Sequence, residues 1–180
     1  MKILKRVLIS IVAIVLLLLA IALVTKKDYA VEREITINAP KEDIFDYIKY
    51  LKNQNNYSKW AMMDPDMKKT YTGTDGEVGF ISAWDSDNEE VGRGEQEIVK
   101  ITDGERIDYE LRFYEPFEST EIAYMITESE TVDVTKVKWG FNGHMPYPGN
   151  LMLLFMDFDE MIGGDLDTGL KNLKGLLEVE

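Results

Sequence analysis

The sequence predicts an α+β domain preceded by one transmembrane helix, and three observations carry that prediction. Residues Val7 to Val24 are apolar except for Ser10. Val31, Arg33, Ile35 and Ile37 alternate with Glu32, Glu34, Thr36 and Asn38, the period of a strand with one buried face. From Leu151 to Leu177 the apolar period is helical. A strand, short helices, a run of strands and a long last helix make a two-layer domain of sheet against helix.

The apolar run comes first. At ~1.5 Å per residue it is long enough to cross a hydrocarbon core as a helix. Lys2, Lys5 and Arg6 precede it, and Lys26 and Lys27 follow. The larger basic count on the leading side puts the N-terminus in the cytoplasm and the body on the far side. The expectation is a single-pass protein of the cell membrane, in a bacterial inner membrane facing the periplasm or the exterior. A cleaved signal peptide competes, with Ala20-Ile21-Ala22 as the small-x-small site. The run continues past Ala22 and is long for such a peptide, which favours the uncleaved anchor. Residues 1–27 are therefore read as the anchor and 28–180 as the soluble domain.

Set apart from the five basic residues of the anchor, the body carries 15 basic and 33 acidic residues, a net charge of −18. Such a surface repels phosphate, so nucleic acid is excluded as a partner and anionic headgroups gain nothing from it. The chain has no cysteine and one histidine, His144. Disulfides, thiolate metal sites and multi-histidine metal sites are excluded. No cofactor motif is present, and nothing sets the oligomeric state. Gly92 and Gly94 form a lone GxG with no helix after them, so they read as a bulge or bend in a curved strand.

Within the body, Pro40 sits where a first helical residue belongs, after Asn38 or Ala39 as cap. Ile44, Phe45, Ile48 and Leu51 follow at helical spacing. Two short helices joined by a bend run to Pro65. Strands are predicted at 68–72, 79–84, 92–101, 106–113, 120–128 and 135–142. Asp75-Gly76, Asp87-Asn88, Asp103-Gly104 and Glu115-Pro116 turn the chain between most of them. Ile107, Tyr109, Leu111 and Phe113 share a face. So do Ile122, Tyr124 and Ile126, and so do Val137, Trp139 and Phe141. A curved sheet wrapped on one helix leaves space between them, a natural place for an apolar ligand.

This order, with Val31-Glu-Arg-Glu-Ile-Thr-Ile-Asn-Ala-Pro40 before Ile44-Phe45, then Tyr57-Ser58-Lys59-Trp60, Gly92-Arg93-Gly94, Thr135-Lys136-Val137-Lys138-Trp139 and Gly169-Leu170-Lys171-Asn172-Leu173-Lys174, resembles the SRPBCC superfamily. That superfamily includes START-related lipid-transfer domains, the birch-pollen allergen and polyketide cyclase-like proteins, and the last branch is the nearest in pattern. The resemblance spans residues 29–180. It implies a helix-grip fold, a curved antiparallel sheet around the C-terminal helix, and binding of a hydrophobic small molecule or lipid between them. It does not imply catalysis.

The expected ligand-binding lining is Trp60, Trp84, Tyr109, Phe113, Tyr124, Trp139, Phe141, Phe155, Phe158 and Met161, with Met156 beside them. Aromatic and Met side chains suit a flat or flexible apolar ligand, and they equally suit a filled core. Asn142, Arg112 and Lys100 are candidate polar contacts, although Arg112 alternates to the outer face. His144 has no Ser or Cys nucleophile signature beside it and reads as a loop histidine. Asp157, Asp159, Glu160 and Asp167 read as a solvated helix face.

Asp165 is the one catalytic candidate. At about 100° per residue from Leu151 it projects into the apolar stripe. Either it reaches the cavity, where burial would raise its pKa, or Gly163-Gly164 breaks the helix and resets the phase, which paired glycines favour. Gly169, also in the stripe, reads as close packing. The function expected is membrane-anchored binding of a hydrophobic small molecule or lipid. A cyclase-, dehydratase- or hydrolase-type enzyme and an interaction module with a filled core are the alternatives.

Overall fold

In the computed structural model, which describes residues 2–178, the opening alternation becomes β1 (Asp28–Ile37). Met1, Val179 and Glu180, which the domain ranges include, lie outside the described residues. Val31 and Ile37 of β1 are buried, and Glu32 and Glu34 look outward. The chain then forms α2 (Lys41–Ile48), a 3-10 turn at Leu51–Asn56 and α3 (Lys59–Met63). Pro40 itself takes the cap position of α2, one residue after Ala39 and two after Asn38, and makes no side-chain cap.

Six more strands follow: β2 (Lys68–Thr72), β3 (Ile81–Asp85), β4 (Arg93–Thr102), β5 (Arg106–Glu115), β6 (Ser119–Thr131) and β7 (Val134–His144). They form one antiparallel sheet in the order β1-β7-β6-β5-β4-β3-β2. The first strand therefore closes against the last. Gly92 takes a positive φ of 62°, and β4 changes register against β5 at Arg93/Gly94. A Cβ on Gly92 would meet the Glu115 carbonyl at 2.3 Å, so the bend needs glycine on both steric and conformational grounds.

The last helix begins later than its apolar period. Gly149–Leu154 is a 3-10 turn, and α4 spans Phe158–Leu177. The break falls at Phe155–Asp157. Asp157 caps the helix by accepting from the Glu160 N–H at 3.0 Å, and it is exposed to solvent as expected. The helix runs unbroken through Gly163-Gly164, and the expected kink there does not occur.

Gly163 is buried because the Arg33 guanidinium crosses it. A Cβ there would meet Arg33 at 2.1 Å, and Arg33 donates to both Asp159 carboxylate oxygens and to the Asp159 carbonyl. Those bonds hold the Asp159 carboxyl below its ordinary pKa. Leu166, Leu170 and Leu173 of α4 are buried against the sheet.

The layer between sheet and helices is divided. Toward the ends of β5 and β7 far from β1's first residue, Ile44, Phe45 and Ile48 of α2 meet Ile107, Met125, Val137 and Leu173 in a filled core. Register places Asp28 of β1 opposite His144 of β7, so the other end of the sheet lies where α1 (Lys2–Val24) joins. That helix is long and apolar enough to cross a membrane by length and composition.

Candidate functional site

At the α1 end of the sheet the layer is not filled. A cavity of about 260 Å³ lies between the sheet, α3 and the first half of α4. Its placement follows from register. Leu111 and Phe113 come from the last half of β5, Ala123 from the first half of β6, and Trp139 and Phe141 from the last half of β7. Ile162 and Leu166 of α4 close it from above. The side chains of α2 fill the opposite end and leave this one open.

Five of the expected lining residues face the cavity: Trp60, Trp84, Phe113, Trp139 and Phe141. They include all three tryptophans of the chain. Trp139 is wedged edge-on between Tyr57 (ring centroids 5.7 Å apart) and Trp60 (6.3 Å). Trp84 meets Phe113 edge-on at 6.0 Å. Such offset and T-shaped pairs favour the quadrupoles of the rings and fix their orientation. Two glycines make the arrangement possible. A Cβ on Gly169 would meet Trp139 at 2.7 Å, and one on Gly94 would meet Trp84 at 2.7 Å. Gly169 is thus close packing between helix and sheet, as its position in the stripe suggested.

The other five lie elsewhere. Tyr109 is wholly buried, but in the filled core beside Ile107 and Met125. Tyr124 faces outward, a correction to the interior face read for Ile122, Tyr124 and Ile126. The inward set on β6 is Glu121, Ala123, Met125 and Thr127, all buried. Tyr124 covers Gly140 on the outer face, lies under the Arg106 guanidinium at 4.1 Å, and donates to Glu32 at 2.6 Å. Desolvation and the Glu32 carboxylate push its pKa up to about 12.

Phe155 is 77% exposed because it falls in the break between the 3-10 turn and α4, and Met161 is 52% exposed because, five residues before Leu166, it sits on the outer face of α4. Phe158 packs on Tyr29 at 5.1 Å, at the margin of the layer, and does not line the cavity. Asn142 and Lys100 are exposed on the outer face. Arg112 is on that face too, gripped by Glu95, Glu97 and Glu110, which raise its pKa further above the usual guanidinium value.

Asp165 neither lines the cavity nor escapes through a kink. It pairs with Lys59 of α3, tying α3 to α4 over the cavity. The acid–base role considered for it has no support in this placement. His144, read as a loop histidine, is instead the last residue of β7, paired with Asp28 of β1, and it bonds the Asp28 carboxylate through Nδ1 at 2.6 Å. Among the described residues no three His, Asp or Glu side chains gather in a way that holds a metal ion.

The polar groups at the cavity were not singled out from the sequence. Gln54, Asn55, Ser58, Lys69, Ser82, Glu90 and Gln96 line it. Gln96 had a readable signal: it shares a strand face with Gly94 and the buried Ile98. Gln54, in a 3-10 turn, had none. The Tyr109 hydroxyl and Gln54 Nε2 are buried with no bonded partner among the described residues. Burial drives the phenolic pKa values of Tyr57 and Tyr109 upward, so both stay neutral hydroxyls at any ordinary pH.

A seven-stranded antiparallel sheet closed around a C-terminal helix, with an apolar cavity between them, is a helix-grip domain. The family model described as "Polyketide cyclase / dehydrase and lipid transport" matches residues 29–178, and the chain belongs to that family. Solved structures agree on the fold. Truncated norcoclaurine synthase from Thalictrum flavum superposes with a TM-score of 0.64 at 14% identity, covering 87% of this chain and 98% of that one. A protein from Nitrosospira multiformis gives 0.54 at 18% identity, with 83% and 96% covered. One from Thermobifida fusca gives 0.55 at 18%, with 83% and 95% covered. No curated protein matches the chain. At these identities the neighbours show the fold alone.

Proposed function

We propose that this protein is a membrane-anchored receptor for one small hydrophobic molecule, held between the sheet and α4. The observation that carries the reading is the cavity itself, about 260 Å³ walled by Trp60, Trp84, Phe113, Trp139 and Phe141 in a family described in part by lipid transport. That volume lies just below the range of about 300–1,000 Å³ usual for ligand sites. It suits a single ring system or a short acyl chain, not a two-chain lipid. Gln54, Ser58 and Gln96 supply hydrogen bonds to orient one polar group of the ligand. The binder reading is favoured over a cyclase-type enzyme because Asp165 is held by Lys59 outside the cavity.

The membrane attachment is part of the same proposal. Asn150 is fully buried and donates to the carbonyls of Ala22 (2.8 Å), Thr25 (3.0 Å) and Lys26 (3.4 Å), capping the end of α1. A body that buries an asparagine to cap this helix supports an α1 that stays attached, over cleavage after Ala22. The basic flank at Lys2, Lys5 and Arg6 supports a cytoplasmic N-terminus with the body across the membrane.

Because every tryptophan lines the cavity, intrinsic fluorescence reads its occupancy directly. Full-length protein in detergent, titrated with a panel of monocyclic and short-chain apolar molecules, is expected to give a saturable change in emission with at least one class. Ala123→Phe, which fills the cavity from β6, is expected to abolish that change while keeping the thermal unfolding cooperative. No response to any member of the panel, together with no co-purifying small molecule in native mass spectrometry, would leave the interaction module as the better reading.

A further inference from the structure

The 3-10 turn at Gly149–Leu154 and the residues after it do more than connect β7 to α4. Asn150, the one buried residue of that turn, is bonded to three backbone carbonyls at the end of α1. Helix ends leave carbonyls without partners, and here Asn150 takes up that of Ala22 together with those of Thr25 and Lys26 in the connector. The Met145 N–H also donates to the Lys27 carbonyl at 2.8 Å. The turn is thereby fixed beside the last turn of α1 and does not hang on a free linker.

What the turn presents is apolar. Met152 is 46% exposed, Leu154 54% and Phe155 77%, next to Leu23 and Val24 of α1, which are themselves exposed. Val24 of α1 lines the same open groove as Leu154 and Phe155, with Lys26, Asp28, Asp157 and Asp159 along its polar side, while Leu23 and Met152 are exposed outside it. A soluble domain rarely displays three such side chains together without an occupant. The occupant is set by continuity. If α1 spans a bilayer, its final turn lies at the headgroup boundary, and a turn bolted to that point meets the same boundary. The strongly acidic body gains nothing from anionic headgroups, so a second contact of this body with the membrane has to be apolar.

We infer that Met152, Leu154 and Phe155 form a wedge that enters the bilayer interface, held in register with the anchor by Asn150. This rests on the reading of α1 as a membrane anchor and goes beyond it. Two attachments instead of one fix the orientation of the body. They hold the cavity-bearing end of the sheet against the membrane, which puts a membrane-dissolved apolar molecule at the site.

The chain has no cysteine, so single-cysteine variants can be labelled cleanly. The full-length protein would be placed in phosphatidylcholine nanodiscs carrying doxyl-labelled acyl chains, with an NBD probe at Phe155→Cys, Val15→Cys or Val132→Cys. Val132 is 86% exposed in the turn between β6 and β7. It lies about 33 Å along β7 from the anchor junction, at ~3.3 Å per residue, and serves as the water-facing control.

Quenching at 155 and at 15 is expected to exceed that at 132 several-fold. Adding Asn150→Ala is expected to reduce quenching at 155 and leave it unchanged at 15. A probe at 155 that behaves like the one at 132, while 15 is quenched, overturns the wedge and spares the anchor. Loss of quenching at 15 overturns the anchor and the wedge with it. Quenching at 155 that is indifferent to Asn150→Ala overturns the clamp.

Discussion

Glu121 is a buried carboxylate on the inner face of β6, and nothing proposed above uses its charge. It accepts the His144 backbone N–H at 2.8 Å. Desolvation raises its pKa above the ordinary value of 4.5, more than the bond from His144 lowers it. Between its unfolded and folded pKa values the native state therefore binds more protons than the unfolded chain. Stability falls as pH rises through that window and is level above it. Glu121→Gln keeps an acceptor for His144 and removes the charge. The variant is expected to melt above the parent at pH 8, with the gap closing as pH drops through the raised folded pKa toward 4.5. Melting curves across pH 4–8 check this, and a parent that melts higher at pH 8 would sink it. Gly169 gives a second test by packing alone. In an exposed helix Gly→Ala gains ~1 kcal/mol. Here the new methyl would strike the Trp139 ring, whose free space is the cavity itself. Overpacking costs ~1–3 kcal/mol, so Gly169→Ala is expected to lose about 1 kcal/mol net in denaturant titrations. It should also weaken ligand binding by pushing Trp139 inward, and an unchanged tryptophan response would refute that coupling.

The start of α4 shows what local pattern does and does not encode. Leu151, Leu154 and Phe155 continue the apolar period of Phe158 and Ile162, so periodicity alone extends the helix backward. The chain instead closes a 3-10 turn, and Asp157 starts a new helix with its side chain on the Glu160 N–H. Asp157→Ala is expected to cost about 1 kcal/mol of stability by removing that cap, whereas Glu160→Ala on the exposed face should cost far less. Equal losses would mean that Asp157 caps nothing. The same logic separates what was legible elsewhere. The strands were readable because β1, β5 and β7 bury one apolar face and their turns carry Gly, Asp or Pro. On β6 both faces are apolar near the middle, with Ala123 and Met125 inside and Ile122, Tyr124 and Ile126 outside. Hydrophobicity then favours the larger side chains and picks the wrong face. Half of the expected residues do line the cavity, since Trp84, Phe113, Trp139 and Phe141 sit on strands of clear alternation and Trp60 on α3. The cavity's position was not. It depends on α2 filling one end of the sheet and not the other, which is a property of packing between distant elements.

How rigidly α1 and the body are joined decides whether the proposed membrane attachment orients the whole molecule. The connector from Thr25 to Lys27 is short and its carbonyls are occupied. Thr25 Oγ1 donates to the Ile21 carbonyl at 2.9 Å, Asn150 reaches Ala22, Thr25 and Lys26, and the Met145 N–H reaches Lys27. Lys26 and Lys27 are exposed, so trypsin can find them, but cleavage needs an extended strand of chain that the clamp forbids. Proteolysis then measures the population in which the clamp has opened. Removing the Asn150 amide leaves buried carbonyls unpartnered at a cost of ~1–3 kcal/mol. A loss of one or two kcal/mol raises an open population by a factor of about 5–30. Asn150→Ala in the full-length chain is therefore expected to be cut after Lys26 or Lys27 about 5–30 times faster than the parent, releasing an intact body. The melting of that body should move little, because Ile37, Ile107, Tyr109, Met125, Val137 and Leu173 form its core away from the junction. Equal cleavage rates would show that the body already swings freely on its anchor, and the fixed orientation of the cavity toward the membrane would then have no structural basis.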